Sequence, residues 1–156
     1  MAIKPIIYNI KELRIPCLDV SPRENISQII TDLRDTLNSL VGKGYALAAN
    51  QIGYNKKIAL IRIPLNNEHT EFNEYFIINP KIVFKERKIL FTEGCLSLPG
   101  LSIQTDRYVF ITISYLDENM EEKIKVAQDL EAIIIQHEID HLSGRSILDR
   151  KHRNNR

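Results

Sequence analysis

Segment 136–141, with the sequence QHEIDH, constrains this chain more than any other, because it sets two imidazoles and a carboxylate at the spacing of a hydrolytic metal site. Residues four apart on an α-helix lie about one turn apart on the same face, so His137 and His141 can reach a single cation. Glu138 is offset by one position and can lean over the open side of that cation, where a general base for water belongs. The spacing predicts a helix that carries a metal site.

The residues around this segment support a helix. Leu130, Ile133, Ile134 and Ile135 are apolar, and Gly144 stands where the C-terminal cap of a helix is expected. The competing interpretation is coincidence, because ordinary residue frequencies give the histidine pattern in roughly one chain of this length in a few hundred. The pattern is therefore a hypothesis that needs a third ligand.

The third ligand is expected upstream of the helix. A longer peptidase pattern has a further histidine downstream, but Ile147 stands at that position, and only Asp149 and His152 follow as ligand types. Cys95 is the strongest upstream candidate, because the glycines and proline of segment 93–100 indicate a strand that ends in a turn. A thiolate and two neutral imidazoles leave one position of a tetrahedron for water. The alternative for Cys95 is a small buried hydrophobic residue.

Three segments resemble the three signature motifs of the peptide deformylase family: GYALAANQ at 44–51, EGCLS at 93–97 and QHEIDH at 136–141. They occur in the family's order and approximate spacing, and the similarity runs from Leu13 to Gly144. The second and third motifs are specific in combination, whereas the first alone would be a glycine- and alanine-rich turn. The chain resembles the short, C-terminally truncated members of the family.

The resemblance implies removal of the formyl group from the N-terminal formyl-methionine of nascent polypeptides, with release of formate. It implies a metal held by Cys95, His137 and His141. In the family this metal is Fe²⁺, and Zn²⁺, Ni²⁺ or Co²⁺ can occupy the same ligands. The resemblance also implies an α+β fold in which antiparallel strands pack around a central helix that carries the HExxH motif.

The remaining functional groups are also carried over from the resemblance. Glu138 would move the proton, and Gln51 with the backbone N–H of Leu96 would donate to the formyl oxygen, where negative charge develops during hydrolysis. Without the family, Gln51 could equally serve to satisfy a turn. Five residues would contact the substrate: Gly44, Tyr45, Ala46, Glu93 and Gly94.

Two positions depart from the family pattern. Ala46 stands where a second glycine is usual, and its methyl group would narrow the approach of the substrate backbone. Ser102 stands where an arginine is frequent, whereas Arg107 matches a later arginine of the family. We expect these departures to affect substrate preference and peptide affinity and to leave the reaction type unchanged.

Other polar and sulfur-bearing residues are expected to have structural or solvent-exposed positions. His69 and His152 lie in polar surroundings and are interpreted as exposed. Cys17 has no partner in sight and is interpreted as structural, and Ser97 is interpreted as a polar packing residue outside the catalytic set.

Length and composition agree with one globular domain. The chain has 156 residues, of which 44% are hydrophobic and 26% charged, so it can bury a sizeable core. A net charge of +1 argues against general polyanion binding, and two cysteines, one assigned to a metal, argue against a disulfide framework. The start of the chain has no apolar leader and no run reaches membrane-span length. We therefore expect a cytoplasmic monomer without membrane contact.

Hydrophobic periodicity predicts the order of elements. A helix is expected over residues 24–41 and a hairpin over residues 108–126. Between them the pattern predicts a strand at 58–63, a loop at 66–74 and a proline-kinked strand at 75–84. A helix, several antiparallel strands and a metal-bearing helix together predict an α+β domain.

The end of the chain is basic. We expect residues 1–144 to form the catalytic domain and residues 145–156 a short tail in which Asp149 is the only acid. The ordinary interpretation is a solvated end, and the functional one is a contact with ribosomal RNA, since the implied substrate emerges from the ribosome. The cations of the tail are Arg145, Arg150, Lys151, Arg153 and Arg156.

Two other functions stay open. A general metallopeptidase would share the helix motif, but the downstream ligand of such enzymes is missing here. A catalytically silent metal-binding or ribosome-associated relative would fit the departures at Ala46 and Ser102. The residues that argue against a silent relative are Gln51, Cys95, His137, Glu138 and His141.

Overall fold

In the part of the chain that the structure describes, five strands follow one another in chain order across a single sheet. The computed structural model describes residues 2–40, 44–68 and 70–152. Within them each strand pairs with the next one along the chain, and every pairing is antiparallel. This arrangement confirms the predicted α+β class. The strands are β1 Ala46–Ala48, β2 Ile58–Pro64, β3 Phe72–Cys95, β4 Leu98–Leu116 and β5 Glu122–Gln128.

Within the same described residues, three α-helices accompany the sheet: α1 Ile10–Leu13, α2 Ser27–Ser39 and α3 Asp129–Leu142. Helix α2 begins at Ser27 rather than at the predicted Glu24. The reason is that Glu24 belongs to the preceding turn, where its carboxylate accepts a hydrogen bond from the Ser21 N–H at 3.2 Å. The predicted end of this helix, Val41, lies outside the described residues.

Strand β3 is longer than the sequence predicts. Residues 72–74 fall in the predicted loop, but they pair with the end of β2, where Pro64 lies opposite Phe72. The predicted kink is confirmed, because the register with β4 shifts around residues 79–80 and Asn79 has a left-handed φ of 49°. Beyond the kink β3 continues to Cys95, so the predicted site segment is the end of this strand.

The predicted hairpin between β4 and β5 is confirmed. Asp117 closes its turn, because its Oδ1 accepts the backbone N–H groups of Asn119 at 2.9 Å and Glu121 at 3.0 Å. Strand β4 begins at Leu98, well before the predicted start at Tyr108, because its first half pairs with the end of β3. The EGCLS segment therefore spans the end of β3 and the tight turn at Leu96 and Ser97 that leads into β4.

The core consists of two clusters, because neighbouring side chains of one strand pack alternately against α2 and against α3. Ile78 of β3 packs in one cluster with Leu33 of α2. Its neighbour Ile77 packs in a second cluster with Ile135 of α3. Because successive side chains of a strand point to opposite faces, α2 and α3 lie on opposite sides of these strands.

Several C-terminal residues up to His152 pack against the domain, whereas Arg145, Asp149 and Lys151 are exposed, so the expected solvated end describes only part of this segment. Ile147 is fully buried. Lys151 forms an isolated β-bridge with Thr105 of β4, and Nδ1 of His152, which was expected to be exposed, lies 3.0 Å from Oδ1 of Asp106. Residues 153–156 lie outside the described part of the chain.

Two further expectations concern Cys17 and membranes. Cys17 is buried, in agreement with its structural interpretation. Across residues 2–40, 44–68 and 70–152, none of the helices has both the length and the apolar character that a membrane crossing requires. His69 lies outside the described residues.

Candidate metal centre and active site

Helix α3 presents three of the predicted site residues. Ala132 and Ile135 are fully buried against the strands, which sets the rotation of the helix about its axis. His137 and His141 consequently point to the end of β3, where they meet Glu93 and Cys95 respectively. Because the two histidines lie four positions apart on this helix, both imidazoles reach one place.

The side chains of Cys95, His137 and His141 converge. Sγ of Cys95 lies 3.3 Å from Nε2 of His141, and this nitrogen lies 3.2 Å from Nε2 of His137. All three atoms lie within 4.8 Å of one another. Metal bonds of about 2.0–2.1 Å to nitrogen and about 2.3 Å to sulfur place tetrahedral ligand atoms roughly 3.3–3.6 Å apart. The three atoms can therefore bind one ion.

The electrostatics of the two histidines favour a cation at this place. Burial lowers the pKa of His141 well below its usual range, so the ring is neutral and offers a lone pair. Burial also lowers the pKa of His137, but hydrogen bonds with Cys95 and Glu93 outweigh it and raise the pKa to about 10. Positive charge is thus stabilised at His137, and a divalent ion bound there would supply such charge. The donor set fits a transition metal.

The Glu93 carboxylate supports His137 from the side opposite the ligand cluster. Its Oε1 lies 2.8 Å from Nδ1 of His137 and accepts Nη2 of Arg107 at 2.9 Å. Its Oε2 accepts Nε of Arg107 at 2.5 Å and the hydroxyl of Thr105. Burial raises the pKa of Glu93, but these hydrogen bonds and the Arg107 charge outweigh burial and hold the pKa at about 2. The ionised carboxylate accepts the Nδ1–H of His137 and leaves Nε2 for a metal.

The buried charge of Glu93 is neutralised by cations that no sequence motif identifies. Arg107 is 2% exposed, and its Nη1 donates to Oδ2 of Asp140 at 2.6 Å. Asp140 also accepts Nε and Nη2 of Arg150, at 2.9 and 2.8 Å. The available signal was position: Glu93 and Asp140 lie close to the predicted ligands Cys95 and His141, and carboxylates that are buried beside such a site need cationic partners.

Glu138 stands beside the ligand cluster with one oxygen unpaired. Its Oε2 lies 3.9 Å from Nε2 of His137, and its buried Oε1 has no hydrogen-bond partner among the residues that the structure describes. Burial raises the pKa of Glu138 to about 7, against the lowering effects of His137 and Arg107. A carboxyl group with this pKa and a free oxygen can accept and return a proton near neutral pH.

Gln51 reaches the cluster from the 3-10 helix Ala49–Ile52. Its Oε1 accepts the backbone N–H of Ala48 at 3.0 Å, which fixes the orientation of the amide. Its Nε2 consequently lies 3.2 Å from the Ser97 hydroxyl and 3.9 Å from Sγ of Cys95. Gln51 therefore satisfies a local turn and also aims a donor at the cluster. Ser97, buried as expected for a packing residue, helps to hold that amide.

A cavity of about 660 Å³ opens beside the cluster. Ser102 is exposed and does not belong to its wall. The predicted substrate-contact and donor residues in the wall are Gly44, Tyr45, Ala46, Gln51, Gly94 and Leu96. An apolar part of the wall consists of Phe91, Leu130, Ile133 and Ile134.

Glu93 also borders this cavity, but its carboxylate does not fit the predicted role in substrate contact. Both of its oxygens bond within the protein, to His137, Arg107 and Thr105. The side chain therefore positions a histidine rather than a substrate.

The sequence matches a known family over nearly its whole length. The family described as polypeptide deformylase matches residues 3–156. A peptide deformylase of Chlorobaculum tepidum is 36% identical over 131 residues, which are 84% of this chain and 69% of that protein.

Two solved structures are similar to this fold. The peptide deformylase of Ehrlichia chaffeensis in complex with actinonin superposes with a TM-score of 0.87 at 34% identity, over 99% of this chain and 91% of that one. A class I type b peptide deformylase of Acinetobacter baumannii with bound Met-Ala-Ser gives a TM-score of 0.84 at 27% identity, over 96% and 98% of the two chains. The fold, the cluster of Cys95 with two histidines and the match over nearly the whole sequence agree: this chain belongs to the peptide deformylase family of metal-dependent hydrolases that remove N-formyl groups.

Proposed function

We propose that this protein removes the formyl group from the N-terminal formyl-methionine of newly synthesised polypeptides, with Cys95, His137 and His141 as metal ligands and Glu138 as the proton carrier. The observation that carries this proposal is the convergence of a thiol and two imidazoles beside a buried carboxyl group, at the edge of a largely apolar cavity. In the reaction water adds across the formyl C–N bond, so that formic acid and a free α-amine leave.

The metal would be held by the thiolate and by one nitrogen of each imidazole. When bound, it supplies positive charge that lowers the pKa of water and stabilises negative charge on the formyl oxygen. A mixed sulfur and nitrogen set accommodates Fe²⁺, Zn²⁺, Ni²⁺ or Co²⁺. On the family resemblance we propose Fe²⁺ as the native ion, and the rates of the four metal forms under anaerobic conditions would decide between them.

Glu138 would carry the proton in both halves of the reaction. Its free oxygen accepts a proton from water as the water oxygen bonds to the formyl carbon. The same proton then passes to the nitrogen as the C–N bond breaks, and the second water proton remains on formic acid until it ionises. Because burial raises the pKa of Glu138 to about 7, the group can act as base and then as acid at neutral pH.

Gln51 and the backbone N–H of Leu96 would stabilise the formyl oxygen. The Gln51 amide is held by Ala48 and Ser97, so its Nε2 needs little reorganisation to receive negative charge. Leu96 follows Cys95 directly, in the turn between β3 and β4, and it lines the cavity. Two donors beside the cluster would favour the transition state over the planar amide.

The residues of the cavity wall favour a methionine side chain in the substrate residue that carries the formyl amide. Its apolar residues match an unbranched thioether in chemistry, and β1 stands at the end of the strand order, where a peptide could add as a further strand. The relative from Acinetobacter baumannii binds Met-Ala-Ser, which supports a methionyl peptide as the ligand of this cavity. Ala46 in β1 would then act on peptide affinity.

The compartment, the oligomeric state and the contact with the ribosome also belong to the proposal. We propose a cytoplasmic monomer that acts on nascent chains and touches the ribosome through its basic end. Arg150 is engaged by Asp140, so such a contact would use exposed cations, of which Arg145 and Lys151 lie in the described part of the tail.

Formate release from formyl-Met-Ala-Ser by the metal-loaded full chain, assayed without oxygen, tests this function. The matched control is Glu138→Gln, which preserves size and removes the proton acceptor; it should retain metal and lose most of the activity. An unformylated Met-Ala-Ser peptide is assayed in parallel. Cleavage of its peptide bonds would indicate a general metallopeptidase, and a fully metallated protein that acts on neither peptide would be a silent relative.

A further inference from the structure

We propose that Arg150 is a positioning residue for the metal ligand His137 and acts on it through Asp140, Arg107 and Glu93. This inference rests on the metal assignment proposed above. It adds the C-terminal 3-10 helix Ile147–Arg150 to the elements that shape the metal centre.

The four residues behind His137 form an unbroken line of short contacts. Arg150 grips Asp140 with two bonds, Nε to Oδ2 at 2.9 Å and Nη2 to Oδ1 at 2.8 Å. Asp140 accepts Nη1 of Arg107 at 2.6 Å, and Arg107 grips Glu93 with Nε and Nη2 at 2.5 and 2.9 Å. Glu93 ends the line at Nδ1 of His137, 2.8 Å away.

The charges along this line alternate and sum to zero. Arg107, Glu93 and Asp140 have side chains that are 2%, 4% and 7% exposed, whereas the Arg150 side chain is 38% exposed. Three buried charges without Arg150 would carry one excess negative charge away from bulk water. Charged groups in such surroundings are stable only when they are paired and hydrogen-bonded, so Arg150 completes the set from the surface.

The geometry of these contacts explains how Arg150 can affect the orientation of His137 without touching it. A guanidinium is a planar fork, so the contact of Nη1 with Asp140 helps to fix the plane in which Arg107 presents Nε and Nη2 to Glu93. Asp140 in turn keeps its place between two arginines because Arg150 occupies both of its oxygens. If Arg150 is removed, Asp140 can turn, Arg107 can follow, and Glu93 loses its fixed direction toward His137.

The segment that carries Arg150 is itself well anchored. Ile147 is fully buried. The N–H of Ser146 donates to Oδ2 of Asp149 at 2.9 Å, and the Ser146 hydroxyl accepts the N–H of Leu148 at 3.2 Å. The guanidinium is therefore presented from a defined backbone rather than from a free tail.

Metal affinity tests the proposal. The full chain is loaded with Ni²⁺, and its dissociation constant is measured by competition with a chelator for the parent protein, Arg150→Ala, Arg150→Lys and Arg23→Ala. Groups that orient a metal-binding histidine typically contribute 10- to 100-fold in affinity, so we expect Arg150→Ala to weaken Ni²⁺ binding by about 10-fold. Arg150→Lys keeps the charge without the fork and should recover part of the loss. Arg23 is exposed and makes no ion pair in the described part of the chain, so Arg23→Ala should match the parent.

A merely structural Arg150 would give a different result. In that case Arg150→Ala would lower the melting temperature of the metal-free protein and leave the Ni²⁺ dissociation constant within twofold of the parent, which would overturn the proposal. The sharper test repeats Arg150→Ala in a Glu93→Gln background. If Arg150 acts through Glu93, its effect on affinity should largely disappear there. A full and independent loss in that background would also overturn it.

Failure of the metal assignment would be recognised separately. If Cys95→Ala binds Ni²⁺ with the dissociation constant of the parent protein, the proposed ligands are wrong, whatever the effect of Arg150→Ala. If Cys95→Ala does lose Ni²⁺ binding but Arg150→Ala binds Ni²⁺ as tightly as the parent protein, only the proposed role of Arg150 is wrong.

Discussion

Nδ1 of His137 lies 2.8 Å from Oε1 of Glu93, and the same carboxylate is held by two donors of the buried Arg107. The orientation of His137, a proposed metal ligand on α3, is therefore set by an ion pair that joins β3 and β4. Because this pair is buried, it affects the stability of the fold as well as the chemistry of the site. Several measurable consequences come from this coupling and from its surroundings.

The Glu93 ion pair should make the metal-free protein sensitive to acid. The pKa of Glu93 is about 2 in the fold, below its ordinary value of 4.5, so its stabilisation is complete above pH 4.5 and is lost as the pH falls toward 2. Between pH 6 and pH 3 this loss is about 2 kcal/mol. Urea unfolding across that range should show a pH dependence that is flatter by this amount in Glu93→Gln. Parallel curves for the two proteins would contradict the assignment.

Replacement of the thiolate should change metal content and metal preference. We expect Cys95→Ala to lose bound metal and activity, because two imidazoles alone form an incomplete shell. Cys95→Asp keeps an anionic ligand but offers oxygen, a harder donor, so its preference should shift away from thiophilic ions. Elemental analysis after dialysis measures both effects. Stoichiometric metal in Cys95→Ala would place the third ligand elsewhere.

Loss of the Gln51 amide should separate catalysis from metal binding. Removal of one oxyanion donor typically costs a factor of about 10²–10³ in rate, and we expect that loss in kcat for Gln51→Ala. The metal content should stay at the parent level, because Gln51 is not among the three ligands. Ser97→Ala is the matched control: it frees the amide without removing it, so the rate should fall less. Equal losses in both variants would contradict a donor role.

Gly144 should tolerate no side chain. Its φ is 76°, and a Cβ there would lie 2.5 Å from the backbone oxygen of Arg14. We expect Gly144→Ala to lower the free energy of unfolding by at least about 2 kcal/mol, through backbone strain and this clash. Gly53→Ala is the control, because Gly53 also has a positive φ, 95°, but a Cβ there would meet nothing within 4 Å. Equal destabilisation of the two variants would show that the clash is relieved.

Cys17 should be protected from alkylation in the folded protein. Burial raises the pKa of this thiol to about 11, against a smaller lowering by Lys57. At pH 8 only about one thiol in a thousand is then ionised, and the thiolate is the reactive form. Iodoacetamide followed by peptide mass spectrometry should find Cys17 unmodified in the native protein and modified in urea. Modification at similar rates in both states would contradict this burial.

Local sequence patterns were sufficient to predict the helix that carries the candidate site. His137, Glu138 and His141 lie within five residues, so helical spacing alone places them on one face. Family resemblance and the absence of a downstream ligand pointed to Cys95, and the end of β3 brings it to the two histidines. The kink of β3 and the β4–β5 hairpin could also be predicted from the sequence, because proline and turn residues determine the backbone conformation of only a few neighbouring residues.

What only the tertiary structure decided are the contacts between residues far apart along the chain. Glu93 reaches His137 across 44 positions and Arg107 reaches Asp140 across 33, and no periodicity of a single element predicts such pairs. For this reason the sequence predicts a substrate contact for Glu93, gives Arg107 only a match to a family arginine and places Arg150 in a solvated basic tail. The sequence by itself determined which groups can carry metal and proton chemistry, since that depends on side-chain type and helical spacing. Their orientation and burial depend on which strands and helices pack together, and only the folded chain decides that.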